Sequence, residues 1–467
     1  MARIISNRDA EALPTSALRM QAYSALDVCL TFGVHQALQK ELAKSEDARR
    51  VYRFERAMQG PALAMALRGI AVDEAECKRQ VAALEADEER LRRAIDLFAQ
   101  AWGMPGCNPN SPTQVAALLY DACGEAAYHT HEGAVTTGEE KLLMLQARSP
   151  LIGTIAHTIL QCRAIRKAQG FLKARRSPDG RLRSSFNVGA TTSGRWSFSK
   201  DAFGDGLNFG NIPKSRRSMF VPSRPSRVMV NVDLKQAESN VVAHITGDEA
   251  YIAAHATGDV HTAVAMDLWG EGAPTDPAER RKWLRDEPFF LGKPRRHLAK
   301  SAQHGTNYGL EPAHASRMLG CKLADAKALQ ARYFGKYAGV KARIDAMPAR
   351  LKENHVMVSP MGRVHQYLGH PSDKHTVKGA LADEPQGIVA DILNIALYRI
   401  WEEMDGRDLW LLNQNYDSIL FECERSQVDR VTARVRELMR VRVPIGDRVL
   451  VLDSDIGVGE NWKEASA

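Results

Sequence analysis

Cysteine pairs, long apolar runs and phosphate-binding loops are all missing from this chain, and each absence removes a class of protein. The seven cysteines (Cys29, Cys77, Cys107, Cys123, Cys162, Cys321 and Cys423) are odd in number, scattered, and include no Cys-x-x-Cys pair. That excludes a disulfide lattice and leaves reduced thiols in a cytosolic protein as the expectation. Cys123, His129 and His131 sit close in sequence, but a structural zinc site takes four ligands and the fourth is lacking. No stretch reaches the ~18 apolar residues of a membrane span, and MARIISNRDAEALP has neither the apolar core nor the cleavage site of a signal peptide. There is no Gly-x-x-x-x-Gly-Lys-Ser/Thr loop, no internal repeat and no low-complexity tract.

What is present is globular material. Hydrophobic residues make up 44% and charged residues 25% of 467 positions, enough for several cores of ~100–200 residues. The net charge of +7 is modest, but its placement is uneven. Between Arg163 and Arg183 stand Arg163, Arg166, Lys167, Lys173, Arg175, Arg176, Arg181 and Arg183, against Asp179 alone. A basic strip of this kind is the expected footprint of a polyanion.

Periodicity divides the chain. Residues 15–48 read as a helix with Leu18, Ala22, Leu26 and Leu30 on one face, and 72–103 as a long charged amphipathic helix. GMPGCNPNSPTQ interrupts it, and helices are expected at about 112–122, 138–147 and 151–176. After SPDG the texture changes. SRVMVNVD (226–233) reads as a buried strand, and LWLLNQNYDSILFECE (409–424) as a hairpin around a polar turn. A second helical block fills 249–350. Ser426 is a candidate cap for a helix over 427–441, and RVLVLDSDIG (448–457) reads as one more strand.

Two aspartates hold the strongest positions. Asp233 ends the buried strand and Asp417 lies at the hairpin tip, places that suit a divalent cation. Either alone reads more readily as a turn or cap residue. Their company decides it. Arg296, Lys300, His304 and Tyr308 recur at steps of four, so one side of a helix presents two cations, an imidazole and a phenol, followed by Gly309. A row beginning with Arg and Lys is not a core face; it suits a triphosphate.

These residues carry a resemblance. DLKQAESN resembles the first catalytic motif of the family A DNA polymerases, RRHLAKSAQHGTNYG their nucleotide-binding helix, and NYDSILFE stands in the place of their third motif. TTSGRWSFSKDAFGDGLNFGNIP (191–213), DVHTAVA (259–265), SPMGRVHQYL (359–368), EPQGIVADILNIAL (384–397) and the closing GVGENWKEA follow in the family's order, and NPNSPTQVAALLYD (108–121) is similar to a thumb segment.

The resemblance implies an α+β right-hand fold: an N-terminal segment 1–50 left from the end of an exonuclease domain, a helical thumb at 51–176, antiparallel β palm at 177–248 and 356–467, and helical fingers at 249–355. It implies two Mg²⁺ ions, replaceable by Mn²⁺, held by Asp233, Asp417 and the Leu234 carbonyl, with Lys300 as proton donor. Gln236, Glu238, Arg296, Lys300, His304 and Tyr308 would meet the dNTP, Glu238 by crowding the sugar 2′ position. Arg195, Asn208, Gln386, Tyr416, Arg175 and Arg176 would meet primer–template DNA, Arg195 and Gln386 through minor-groove acceptors. Beyond DNA and dNTPs, the candidate partners are a separate exonuclease, a processivity factor or a single-strand-binding protein, and no membrane.

Departures from the pattern are local. His304 replaces a Phe or Tyr, Asn240 an Arg, and Tyr416 and Ser418 flank Asp417 where His and Glu are usual. Tyr23 and Asp27 match the last exonuclease motif, but one carboxylate cannot make a two-metal nuclease. A polymerase without proofreading, of phage or prophage type, is therefore the expectation. The alternatives are a catalytically silent primer–template-binding subunit and a single-subunit RNA polymerase. Glu238 argues against the latter, since a block at the 2′ position serves no RNA polymerase.

Overall fold

The computed structural model describes residues 16–130, 132–148, 150–200, 204–290 and 292–466. Helices α1 (Ser16–Leu42), α2 (Glu46–Ala57) and α3 (Gln59–Arg68) open it. No residue of α1 is buried, and Tyr23 and Asp27 are both exposed on it. After a short strand β1 (Ile70–Val72) comes α4 (Glu74–Ala101), the charged amphipathic helix that the pattern predicts. Asp73 caps it by accepting from the Glu76 amide at 2.9 Å.

Helices α5 (Pro112–Ala116, continued by a π turn over 117–122), α6 (Glu139–Arg148) and α7 (Pro150–Leu172) complete this helical arm. Lys173 to Glu85 (2.8 Å) and Gln169 to Glu88 (2.9 Å) join α7 and its end to α4. Ile95, Leu118, Leu142 and Ile159 form a core distinct from that of the rest of the chain, as a separately packed lobe requires.

Much of the basic strip is tied down within the fold, although Arg166 and Lys167 stand exposed. Arg163 donates to the carbonyls of Pro109 (2.9 Å) and Thr137 (2.5 Å), Arg183 makes a two-pronged pair with Asp179, and Arg181 donates to the Arg68 carbonyl. Helix α7 also ends at Leu172, four residues before the expected 176.

Strands β2 (Arg181–Leu182), β3 (Ser185–Asn187), β4 (Ser197–Ser199), β5 (Phe220–Val221) and β6 (Arg227–Leu234) follow. β1 is the middle strand between β2 and β5, so the arm is stitched to the sheet-bearing region at its base. The helical block then runs through α8 (Ala237–Thr246), α9 (Glu249–Thr257), α10 (Val260–Trp269), α11 (Pro277–Arg285), the hairpin β7 (Pro288–Phe290)/β8 (Lys293–Pro294), α12 (Arg295–Asn307), α13 (Pro312–Leu319), α14 (Leu323–Lys336) and α15 (Ala338–Glu353).

Hairpin β9 (Val356–Val358)/β10 (Val364–Gln366) leads to α16 (Lys374–Met404), then β11 (Leu409–Asn415), β12 (Ser418–Glu424), α17 (Val428–Met439), β13 (Arg442–Ile445), β14 (Arg448–Val451), β15 (Ser454–Gly459) and α18 (Trp462–Ala465). The central sheet has the order β11-β12-β6-β15, antiparallel throughout. Its valines and leucines pack with Ile388, Ile392 and Ile400 of α16 in the main core, which fixes β6 and β12 as rigid supports for whatever stands at their ends.

Two expectations fail here. Ser426 is not a helix cap: Arg425–Gln427 is a 3₁₀ turn, its first amide bound to the Ser226 carbonyl (2.9 Å), so α17 starts only at Val428. Residues 448–457 form two strands, because the Asp453 carbonyl accepts the Lys235 amide (2.8 Å) and turns the chain from its hairpin with β13 toward β6. Among the described residues, no helix is long and apolar enough to cross a membrane.

Candidate active site

Antiparallel register brings the two aspartates together. Asp233 on β6 lies opposite Ser418 of β12 on one side and Asp455 of β15 on the other, and Asp417 directly precedes Ser418. The Leu234 amide donates to the Asp417 carbonyl (2.9 Å), locking strand end to hairpin tip. Among the described residues, Gln236 (φ 46°) and Tyr416 (φ 59°) are the non-glycine positions with positive φ. Each costs on the order of 1–3 kcal/mol. One follows Asp233 by three residues and the other precedes Asp417, so the strain is concentrated on the two carboxylates.

Burial pushes the Asp233 carboxyl up to about 7; Asp417 adds to the shift, while Lys300 and Lys214 oppose it. Asp417 is also raised, by burial first, with Lys300 again opposing. Arg217, stacked on Trp462 at 4.5 Å, feels both aspartates. Two carboxylates in mutual repulsion are a hard oxygen donor set, and a divalent cation relieves that repulsion. The residues fit such an ion.

Helix α12 faces them across a cavity of about 1150 Å³, lined by Asp233, Leu234, Gln236, Glu238, Arg296, Lys300, His304, Tyr308 and Asp417. Every residue that the sequence reading assigned to metal, nucleotide or catalysis is therefore in one place. The row on α12 is held from behind. Gln303 and Asn307 donate to the buried Tyr251 hydroxyl (2.8 and 3.1 Å), and Tyr333 donates to Asn307 (2.8 Å). A satisfied buried network of this kind fixes the rotation of the helix. Tyr308 is the C-cap rather than a residue of the last turn, and Gly309 after it has φ 76°, which a glycine adopts without strain.

Glu238 is the hub at this end. Tyr308 donates to one of its oxygens (2.5 Å) and Arg195 to the other. Burial alone raises the Glu238 carboxyl, but Arg195, the Tyr308 hydroxyl and His304 together bring it below its usual value. Burial, and then the Glu238 charge, hold the Tyr308 hydroxyl well above the usual phenol range. His304 Nδ1 lies 3.9 Å from Glu238; burial lowers the imidazole's affinity for a proton, and the Glu238 charge opposes that shift.

The Arg195 turn rests on a buried guanidinium. Arg363 bonds to Asp391 and Glu55 (both 2.5 Å) directly beneath Gly194, where a Cβ would come within 2.4 Å of Arg363 Cζ. Tyr416 meets Phe198 edge-on at 5.8 Å and Arg195 at 5.7 Å. Asn208 donates to the Phe198 carbonyl (2.8 Å) and keeps a buried side-chain oxygen without a partner among the described residues. Gln386 is half-buried on α16.

Arg175 is 80% exposed, 3.4 Å from Asp205. Arg176 is a correction: its guanidinium is only 14% exposed and bonds to Glu74 (2.8 Å) and the Leu172 carbonyl (2.9 Å), so it closes the base of the arm and is not offered to DNA. His131 of the zinc triplet lies outside the described residues, and among those described no three His, Cys, Asp or Glu side chains gather around a metal-sized site.

Sequence reasoning missed Asp259, Arg285, Arg217 and Asp455 as residues of the site. Asp259 had a legible signal: it stands after glycine and before VHTAV, and it caps α10 by accepting from the His261 and Thr262 amides. The others arrive through tertiary packing alone.

Burial holds His255 and His261 near 4, well below an unfolded histidine at about 6.5. Between these values the unfolded chain binds protons that the folded chain refuses, so stability falls as pH drops from about 6.5 to 4. Thermal unfolding across that window is expected to show the fall, and His261→Gln to flatten it; an unchanged slope in the variant would count against this assignment.

A sequence model of DNA polymerase family A matches residues 74–464. DNA polymerase I of Lactococcus lactis subsp. lactis is 28% identical over 421 residues, covering 86% of this chain and 44% of that protein. DNA polymerase I of Mycobacterium tuberculosis is 27% identical over 477 aligned positions, covering 98% and 48%. This chain thus spans about half the length of these relatives. Among solved structures, the POL domain of Pol1 from M. smegmatis, in complex with DNA primer-template and dNTP, superposes with a TM-score of 0.77 at 23% identity, over 95% of this chain and 76% of that one. That likeness establishes the fold as the right-hand α+β architecture. With the family model covering most of the sequence, the chain belongs to DNA polymerase family A.

Proposed function

We propose that this chain is a template-directed DNA polymerase that extends a primer 3′-hydroxyl with dNTPs. The observation that supports it most is the meeting of the Asp233 and Asp417 carboxylates and the Arg296–Lys300 row in one cavity. Helices 51–176 serve as thumb, 177–248 and 356–467 as palm, and 249–355 as fingers. Asp233, Asp417 and the Leu234 carbonyl would hold two Mg²⁺ ions, whose charge would acidify the 3′-hydroxyl and neutralise the reacting phosphate.

The chain's own residues do the rest. Lys300, whose charge already acts on both aspartates, binds the leaving pyrophosphate and gives it a proton. Arg296 holds the outer phosphates. Glu238, gripped from two sides, closes the space where a ribose 2′-hydroxyl would go. Arg195, Tyr416, Asn208 and Gln386 would lie along the path of the primer–template. Arg175, on the exposed side of the arm, meets phosphates without regard to sequence. His304 packs against the sugar in place of a phenyl ring.

Primer extension on a labelled duplex tests the reading. Elongation by dNTPs and not rNTPs supports it; duplex binding with no elongation favours a silent subunit, and efficient elongation by rNTPs an RNA polymerase.

A further inference from the structure

Asp259 sits between two guanidiniums, and the second of them belongs to no motif. Its Oδ2 accepts from Arg296 Nε (2.5 Å) and Arg285 Nη2 (2.9 Å), and its Oδ1 from Arg296 Nη2 (3.0 Å). The carboxylate is itself fixed, because it caps α10 and accepts from the Thr262 hydroxyl at 2.8 Å. Each guanidinium is therefore oriented by one anchored carboxylate, and each keeps N–H groups that bond to nothing else among the described residues. Both line the same cavity as Lys300 and the two aspartates.

Arg285 is also carried by the right element. It is the last residue of α11, which Asp276 caps and buried Leu284 anchors beside Ala299 of α12. Arg295, at the first turn of α12, lies between the rings of Trp283 (3.9 Å) and Phe289 (4.2 Å) and donates to the Trp283 carbonyl (3.2 Å). α11 and the start of α12 are thereby clamped together, so Arg285, Arg296 and Lys300 stand on one unit.

Their order along the cavity follows from their fields and bonds. Lys300 acts on Asp233 and Asp417; Arg296 lies one turn earlier on α12; Arg285 lies beyond it, across Asp259. We propose that Arg285 is a third cationic contact for the triphosphate of the incoming nucleotide, at its γ end, oriented for that purpose by Asp259. The inference rests on the polymerase reading only for the identity of the nucleotide; the anion site stands on its own geometry. A guanidinium that gives one Nη2 N–H to a carboxylate still has N–H groups to offer the oxygens of a terminal phosphate, a charge-assisted contact of the strong class.

Calorimetric titration of the intact protein with inorganic tripolyphosphate and with pyrophosphate, in Mg²⁺ buffer, reads the site directly. Arg285→Ala is expected to weaken tripolyphosphate about tenfold or more and the shorter pyrophosphate less, with thermal unfolding unchanged. Arg281→Ala, an exposed arginine one turn earlier on the same helix, is expected to change neither, and Arg285→Lys to recover part of the loss. In primer extension, KM for dNTP should rise while kcat holds. Equal tripolyphosphate affinity in Arg285→Ala and wild type would overturn the inference, as would an equal loss in Arg281→Ala, which would make it a matter of net charge. Wild-type protein that binds tripolyphosphate but extends no primer would instead sink the polymerase reading and leave the anion site intact.

Discussion

Asp233→Asn is expected to melt at a higher temperature than the wild type in metal-free buffer while losing on the order of 10³-fold or more in kcat. The two effects have one cause. Burial and the Asp417 charge push the Asp233 carboxyl up to about 7, and a carboxyl raised above its unfolded value destabilises the folded state at neutral pH, where the unfolded chain carries the charge freely. An amide of the same shape removes the repulsion, so the sheet end relaxes. It also removes a negative oxygen ligand, and loss of a metal's positioning costs several kcal/mol of transition-state stabilisation, ~4 kcal/mol for 10³. Added Mg²⁺ should raise the wild-type melting temperature and narrow the gap. Thermal unfolding with and without EDTA, beside single-turnover extension, checks both halves. A variant that is less stable yet fully active would refute the assignment.

The second large effect is expected at Glu238. Its carboxylate cannot swing aside, because Tyr308 and Arg195 each hold one oxygen. A ribose hydroxyl pressed against it must break a charge-assisted bond or displace the base pair, a cost of roughly 1.5–3 kcal/mol for the bond alone. Glu238→Ala should therefore lower the dNTP-over-rNTP preference on the order of 10²-fold, measured as the ratio of kcat/KM values. Activity on dNTPs should fall as well, since Arg195 and Tyr308 lose the group that positions them. An unchanged ratio would show that sugar selection resides elsewhere in the cavity.

How much of this was legible depends on the distance over which the information travels. The residues of the cavity that lie in local patterns were all readable. Asp233 closes a valine-rich strand, Asp417 tops a hairpin, and Arg296 to Tyr308 repeat at a helical step. Local pattern also gave the long helix α4 and the change of texture near 177. What it could not give is the partner of a charge. Arg163, Arg176, Arg181 and Arg183 look like a polyanion footprint in one dimension, whereas three dimensions supply each with a carbonyl or carboxylate. Arg285 is the reverse case: eleven residues before Arg296, at the end of a separate helix, it gains meaning only because Asp259 and the Arg295 clamp bring it to the rim. Residues 448–457 looked like one strand because nothing in their own composition announces the Lys235 amide that bends them.

The serine in place of the usual third-motif glutamate has a structural context that the motif alone lacks. Ser418 flanks Asp233 on β12, while on β15 the residue opposite Asp233 is Asp455, paired with Lys235 at 2.8 Å. Negative charge is thus still present beside Asp233, on the other flank, and Asp455 contributes to the upward shift of its carboxyl.

The most direct measurement is extension of a labelled primer on a defined template by the purified protein with Mg²⁺, with dNTPs or rNTPs, beside Asp417→Ala. Template-directed elongation with dNTPs alone, abolished in the variant, is the expected result. Duplex binding without elongation by the wild type, in Mg²⁺ and Mn²⁺ alike, would contradict it.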